Sequence, residues 1–398
     1  MQKIKFKTDG YTLTNFLLSL LIFVAVIDPS NQIFKAKELF FGLTLLCYLV
    51  LCKPKLDLQI IIILLSVLFL NVLAALIGSE ALKFDPEFAI GTIKSFLFLF
   101  LLLLYKDPKI HWFEKLKIPC IFISVISILI HISTLCFPAI EIAVYSFANS
   151  HGQFIMMSHR EFLGLPIRQI FYRTAPLLTI TLPVYYYRLL FTNASKRNNL
   201  ICSLLFFGAL LGTGTRASML AAMLIVTTIS IYKIFISRWG KVIFLPLFTL
   251  FILGGSLLLY KLVTDTGEQS LEVKKGHVTS LIHEIKQPST LIVGQGIGSQ
   301  YFSAGFNANT AQSEVSYLEI IRMFGLIGGG LLFCLFLIPV YLCLKNKPDA
   351  YGAFALGYIS YLFIGGTNPL LVSSTGMLVI CVAFSYSSPK QIGTYNEQ

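Results

Sequence analysis

Four charged side chains stand where long apolar runs of this 398-residue chain begin: Arg168, Arg173, Arg216 and Glu314. A cation at the centre of a membrane span is unfavourable by about 2.5–3.5 kcal/mol, and by less near the interface, so such a charge generally has a partner or a task. Arg216 belongs to Gly212-Thr213-Gly214-Thr215-Arg216-Ala217-Ser218, a tight turn feeding a helix for which Thr215 is the expected N-cap. Its guanidinium then meets the positive end of the helix dipole, a conflict that a bound anion would relieve. Free N–H groups, a hydroxyl and a guanidinium together suit phosphate. Arg173-Thr174-Ala175-Pro176 repeats the pattern, with Thr174 as a cap and Pro176 in the first turn, and Arg168 lies five residues earlier. The plain alternative for Arg168 or Arg173 is snorkelling to outer headgroups.

Two further stretches carry candidates. In Leu291-Ile292-Val293-Gly294-Gln295-Gly296-Ile297-Gly298-Ser299 the glycine spacing is wrong for a dinucleotide fingerprint. Gly296 and Gly298 instead allow close backbone approach to a ligand such as a sugar chain, or a tight re-entrant bend. Downstream, Ser316 and Glu319 fit a capping box and Glu319 can pair with Arg322 one turn on. Glu314 lies outside that box and is the carboxylate freer to act as a base. The six histidines show no metal-binding spacing, and the eight cysteines sit in or beside apolar runs as small buried side chains. Lys94, inside an apolar run, is given no role.

The elements that must position these residues follow from composition. With 56% hydrophobic and 13% charged residues, the chain has too little polar surface for a soluble globule and reads as a polytopic membrane protein. Backbone groups in lipid must be satisfied within the chain, so an all-α bundle is expected. Twelve spans are read, at about 11–27, 36–52, 56–77, 88–104, 118–137, 174–191, 199–212, 217–235, 242–262, 315–344, 350–365 and 369–386. Basic residues before the first span and after every second one, from Lys3, Lys5 and Lys7 through Lys53, Lys106, Arg197, Arg238 and Lys345 to Lys390, place both termini in the cytoplasm. The net charge of +12 is spread through these turns, which argues against a nucleic-acid partner. The first run ends in Asp28-Pro29-Ser30 without a small-residue cleavage pattern, so no cleavable signal is expected.

The cytoplasmic turns are short and hold no phosphate-binding Gly-x-x-x-x-Gly-Lys-Ser/Thr loop, which excludes ATP-driven transport by this chain alone. The long connections, 138–173 and 263–314, both fall outside and are both basic against the topology rule. The first carries His151, His159, Arg160 and Glu161, and the second Lys274, Lys275, His277, His283 and Lys286.

The turn 212–218, together with the stretch from Gly294 through Ser313-Glu314-Val315-Ser316-Tyr317-Leu318-Glu319 to Phe324-Gly325-Leu326-Ile327-Gly328-Gly329, resembles the O-antigen ligase and polymerase superfamily. The resemblance implies a GT-C-like glycosyltransferase of the bacterial inner membrane with two large periplasmic loops. Its substrates would be undecaprenyl-diphosphate-linked oligosaccharides among membrane lipids, with no metal or other cofactor. It further implies that Arg168, Arg173 and Arg216 hold the diphosphate, and makes a chain-length regulator a candidate partner. Ligases of the family carry a His-Asn pair where Ser313-Glu314 stands, which favours the repeat-unit polymerase branch; the second loop also lacks arginine. The competing readings are a ligase acting on lipid A core and a non-enzymatic flippase, whose charges would be expected at the bilayer midplane.

Overall fold

The computed structural model of the protein describes residues 9–150, 155–162, 165–193, 195–236, 269–346 and 349–388. The span expected at about 242–262 lies outside them, as do Lys3, Lys5, Lys7, His151, Arg238, Lys241, Lys347, Lys390 and the side chains of His159, Arg160 and Glu161.

Within the described residues the chain is a helix-dominated, multi-pass membrane protein. Six segments are long and apolar enough to cross a bilayer: α1 (Gly10–Ile27), α3 (Leu58–Ser79), α4 (Pro86–Leu97) with its 3-10 continuation Phe98–Leu104, α5 (Trp112–Cys136), α9 (Arg216–Ile236) and α12 (Ser316–Lys345). Shorter helices occupy other expected runs: α2 (Lys37–Cys47) with a π turn (Tyr48–Cys52), α7 (Leu178–Phe191), α8 (Lys196–Gly212), α13 (Asp349–Gly366) and α14 (Ser374–Ser387). Helix length therefore supports several crossings without fixing the number at twelve.

Local chemistry sets several helix starts. Asp57 accepts a hydrogen bond from the Gln59 N–H at 2.9 Å to open α3, and Asp85 accepts one from Phe88 at 2.9 Å to open α4, with Pro86 in the first turn. Ser373 caps α14 through the Gly376 N–H at 3.0 Å. Every residue of α14 from Ser374 to Ser387 is buried, as expected of a helix apolar all round that packs at the centre of the bundle. By contrast, α3 shows Leu58, Ile62, Leu65, Phe69 and Leu76 on its outside, the surface a helix offers to lipid.

The described bundle is all-α, as expected, and the connections add short strands. The first connection holds α6 (Pro138–Ser150) and an antiparallel pair of strands, β1 (Ile155–Phe162) and β2 (Leu165–Tyr172), in which Ile155 faces Tyr172 and His159 faces Arg168. Ile155 and Met157 are buried while Met156 is exposed, the two-residue alternation of a half-covered strand. Outside hydrocarbon a strand edge can be satisfied by water, so the rule that enforces helices in lipid no longer applies. The second connection holds α10 (Gln269–Ile285), α11 (Pro288–Ile292) and a short hairpin, β3 (Tyr301–Ser303) with β4 (Ala308–Thr310).

Candidate functional site

A cavity of about 480 Å³ opens where the ends of several helices meet. Its wall draws Pro29 from the turn after α1, Asp85 with Glu87, Gly91 and Ser95 along one side of α4, Arg173 and Thr174 from the entry to α7, Gln312 from the approach to α12, Tyr361 from α13, and Ser373 and Thr375 from the start of α14. The ends of both long connections thus reach one chamber.

Arg173 is the sequence-expected residue that lines it. Both neighbours are tied to the last turn of α1: the Tyr172 hydroxyl donates to the Ile27 carbonyl, and Thr174 Oγ1 donates to the Val26 carbonyl at 2.7 Å. The expected capping role of Thr174 is therefore not realised, because its hydroxyl is committed to α1. Pro176 does stand in the first turn, in the 3-10 segment Ala175–Leu177. Nearby, the buried Asp28 carboxylate accepts from the N–H groups of Gln32, Ile33 and Phe34 at 2.8–3.0 Å, which holds the rim. Burial pulls the Arg173 guanidinium below its ordinary pKa, yet an arginine so shifted stays charged near neutrality. A cation partly stripped of water is a strong attractor for an anion.

Arg168 and Arg216 lie outside the lining. Arg168 Nη2 is 2.9 Å from Glu141 Oε2 of α6, and its Nη1 donates to the Thr134 carbonyl, so this guanidinium ties the β1–β2 pair to α5 and α6. Around Arg216 the turn folds on itself: Thr213 Oγ1 donates to the Leu210 carbonyl at 2.7 Å and lies 3.1 Å from Thr215 Oγ1. Gly214 has φ +62°, and a Cβ there would stand 2.9 Å from Gln169 Cα, so the turn packs on the backbone of β2. Arg168 and Arg216 share a neighbourhood; Arg173 belongs to the cavity.

Gly296 and Gly298 serve chain packing. Both have positive φ, and a Cβ on Gly296 would stand 2.1 Å from Gly78 N, while one on Gly298 would meet the Phe84 ring at 2.6 Å. The Ile297 N–H donates to the Ala74 carbonyl at 2.9 Å at the end of α3. On the other side, α12 breaks at Gly325 (φ 66°, ψ −175°), which frees the carbonyls of Arg322 and Met323. The N–H groups of Gln295 and Gly296 satisfy them at 2.7 and 3.1 Å. At these positions the close approach is made by the protein's own α3 and Phe84.

Glu319 and Arg322 form a buried knot. Arg322 Nε donates to Glu319 Oε1 at 2.9 Å, Nη1 to Ser299 Oγ at 2.8 Å and to Gln295 Oε1 at 3.1 Å, and Nη2 to the Ala311 carbonyl at 2.9 Å. The second Glu319 oxygen accepts from Ser313 Oγ at 3.0 Å and from the Tyr301 hydroxyl at 3.3 Å. The expected pairing of Glu319 with Arg322 holds, but the capping box does not form. Val315 is the N-cap residue, and Ser316 Oγ donates to the Asn368 carbonyl at 2.6 Å.

Glu314 is placed away from the cavity wall, with Oε2 3.8 Å from Lys274 Nζ and about a third of each side chain exposed. Behind it His277 Nδ1 is 2.6 Å from Ser303 Oγ, and burial pulls its imidazole below the ordinary histidine pKa against the pull of Glu314 and Glu319.

Asp85, Glu87, Gln312 and Thr375 line the cavity without having been singled out in the sequence. A signal existed for the first two: Asp85-Pro86-Glu87 is a helix start with an acidic first turn, a few residues from the expected fourth span. Among the described residues no group of three His, Cys, Asp or Glu side chains is placed to hold a metal ion. Compared with protein-family models and with curated proteins, the chain matches none.

Proposed function

We propose that the protein is a membrane glycosyltransferase that polymerises lipid-linked oligosaccharide repeat units. A growing glycan on undecaprenyl diphosphate is the donor, and the terminal sugar hydroxyl of a new lipid-linked unit attacks its anomeric carbon. The observation that carries this reading is the convergence of both long connections on one polar chamber that contains Arg173. A lipid-linked donor keeps its diphosphate at the membrane surface, and the half-buried Arg173 on the chamber wall supports a reading in which its guanidinium stabilises the charge that develops as the diphosphate leaves. The chamber falls in the roughly 300–1,000 Å³ range of small-molecule sites, room for the reacting sugars but not for the whole polymer.

The rest of the proposal is a GT-C-like bundle of twelve crossings in a bacterial inner membrane, with both termini cytoplasmic and connections 138–173 and 263–314 periplasmic. Its companions would be membrane lipids and a chain-length regulator. In a background lacking reactive cysteines, Ser150→Cys and Ala308→Cys, both at exposed positions, should react with an impermeant maleimide from the periplasm. Protection of both sites would reverse the orientation.

Function is tested by surface glycan in a deletion strain. A polymerase defect leaves a single repeat unit capped on lipid A core, since flipping and ligation continue. Loss of every attached unit would instead favour a flippase or ligase.

A further inference from the structure

We infer that Glu87 is the carboxylate that accepts the proton from the attacking sugar hydroxyl; this rests on the polymerase reading. Glu87, Gly91 and Ser95 repeat every fourth residue along α4, so they stack on one face of that helix, and all three line the cavity that contains Arg173. Gly91 makes the space beside Glu87: a Cβ built there meets nothing within 4 Å. The other carboxylate on the wall, Asp85, already caps α4 through the Phe88 N–H at 2.9 Å. Glu87 is exposed to the chamber, and among the described residues no hydrogen bond or ion pair occupies it. Glu314 is held beside Lys274 and is not part of the wall.

The step balances without a co-reactant. The acceptor oxygen forms a bond to the anomeric carbon as the bond from that carbon to the diphosphate oxygen breaks. The hydroxyl proton passes to the Glu87 carboxylate, and the leaving diphosphate takes the bonding electron pair toward Arg173. Bulk water on the outer side then removes the proton from Glu87. Among the described residues, the other charged or titratable groups on the chamber wall are Asp85 from the start of α4, Arg173 from the entry to α7 and Tyr361 from α13.

The test uses full-length protein in lipid bilayers supplied with undecaprenyl-diphosphate-linked repeat units, with kcat and KM measured across pH. Glu87→Gln keeps the size and exposed position of the side chain but removes proton acceptance. It should lower kcat by about 10²–10⁴-fold with KM unchanged, and abolish the acidic limb of the pH profile. Glu87→Asp should restore part of kcat together with the limb, and Glu314→Gln should keep full kcat. Wild-type polymer formation with a fully active Glu87→Gln overturns the role of Glu87 alone. A lost acidic limb in Glu314→Gln instead of Glu87→Gln also overturns it. Wild-type protein that makes no polymer, while Arg173→Ala binds lipid diphosphate as tightly as wild type, overturns the polymerase reading and this role with it.

Discussion

Two arginine-carboxylate settings in this molecule differ in the room around them. Arg322 and Glu319 are fully buried and surrounded by partners, with the Arg322 guanidinium also lying 4.6 Å from the centre of the Tyr301 ring. Arg173 and Glu87 instead share the wall of an open chamber. The first setting has no space into which a ligand could come, so its charges hold the second connection to α12. The second has open space beside its charges. A charge near hydrocarbon signals a task; the room around it decides whether that task is structure or function.

The sharpest way to break the contrast is to cut the knot. Arg322→Ala leaves Glu319 buried without its cation, a loss of about 3–5 kcal/mol. Protein yield and thermal midpoint in detergent should collapse, and Arg322→Lys should not restore them, because a point charge cannot serve Glu319, Gln295, Ser299 and Ala311 together. A well-folded Arg322→Ala protein would show that the knot is dispensable.

Filling the chamber should do the reverse. Gly91→Leu projects into open space, so the protein should accumulate normally while glycan stops at one capped unit. Long glycan in that variant would place the substrate elsewhere. A smaller effect is expected at the rim of the second connection: Glu314→Gln removes a partly exposed pair of the kind that contributes about 0–1 kcal/mol, and thermal stability should barely change.

Acid should act on the structural region through His277. Its folded pKa lies below the ordinary value of about 6.5, so the unfolded chain takes up the proton first. Stability is full above about pH 6.5 and declines as pH falls toward the folded value, by at most about 1.4 kcal/mol per pH unit from this group. His277→Gln should flatten that slope in thermal melts recorded across the same range.

Much of the bundle was legible because hydrocarbon imposes long apolar helices and because caps such as Asp57 and Asp85 mark their starts. The connections were not, since outside lipid the backbone has several ways to be satisfied; the β1–β2 pair was missed for that reason. Arg173 was singled out from its place at a helix entry and lines the chamber, whereas Arg168 in the same stretch is matched by Glu141, a partner in the preceding helix that spacing alone could not assign. The glycines at 296 and 298 were recognised as sites of close approach, but the approaching chain is the protein's own α3 and the Phe84 ring. Ser316 had the right spacing for a capping box and lost it to the Asn368 carbonyl, a partner 52 residues away.

In the proposed function, the chamber at Arg173 holds the diphosphate of a lipid-linked glycan. The most direct test is the affinity of the bilayer-embedded protein for undecaprenyl-diphosphate-linked oligosaccharide, compared among wild type, Arg173→Ala and Arg168→Ala. Loss of a charge-assisted contact of about 1.5–3 kcal/mol should weaken binding by roughly tenfold to over a hundredfold in Arg173→Ala, while Arg168→Ala binds as wild type does. Equal affinity in wild type and a folded Arg173→Ala would contradict the claim.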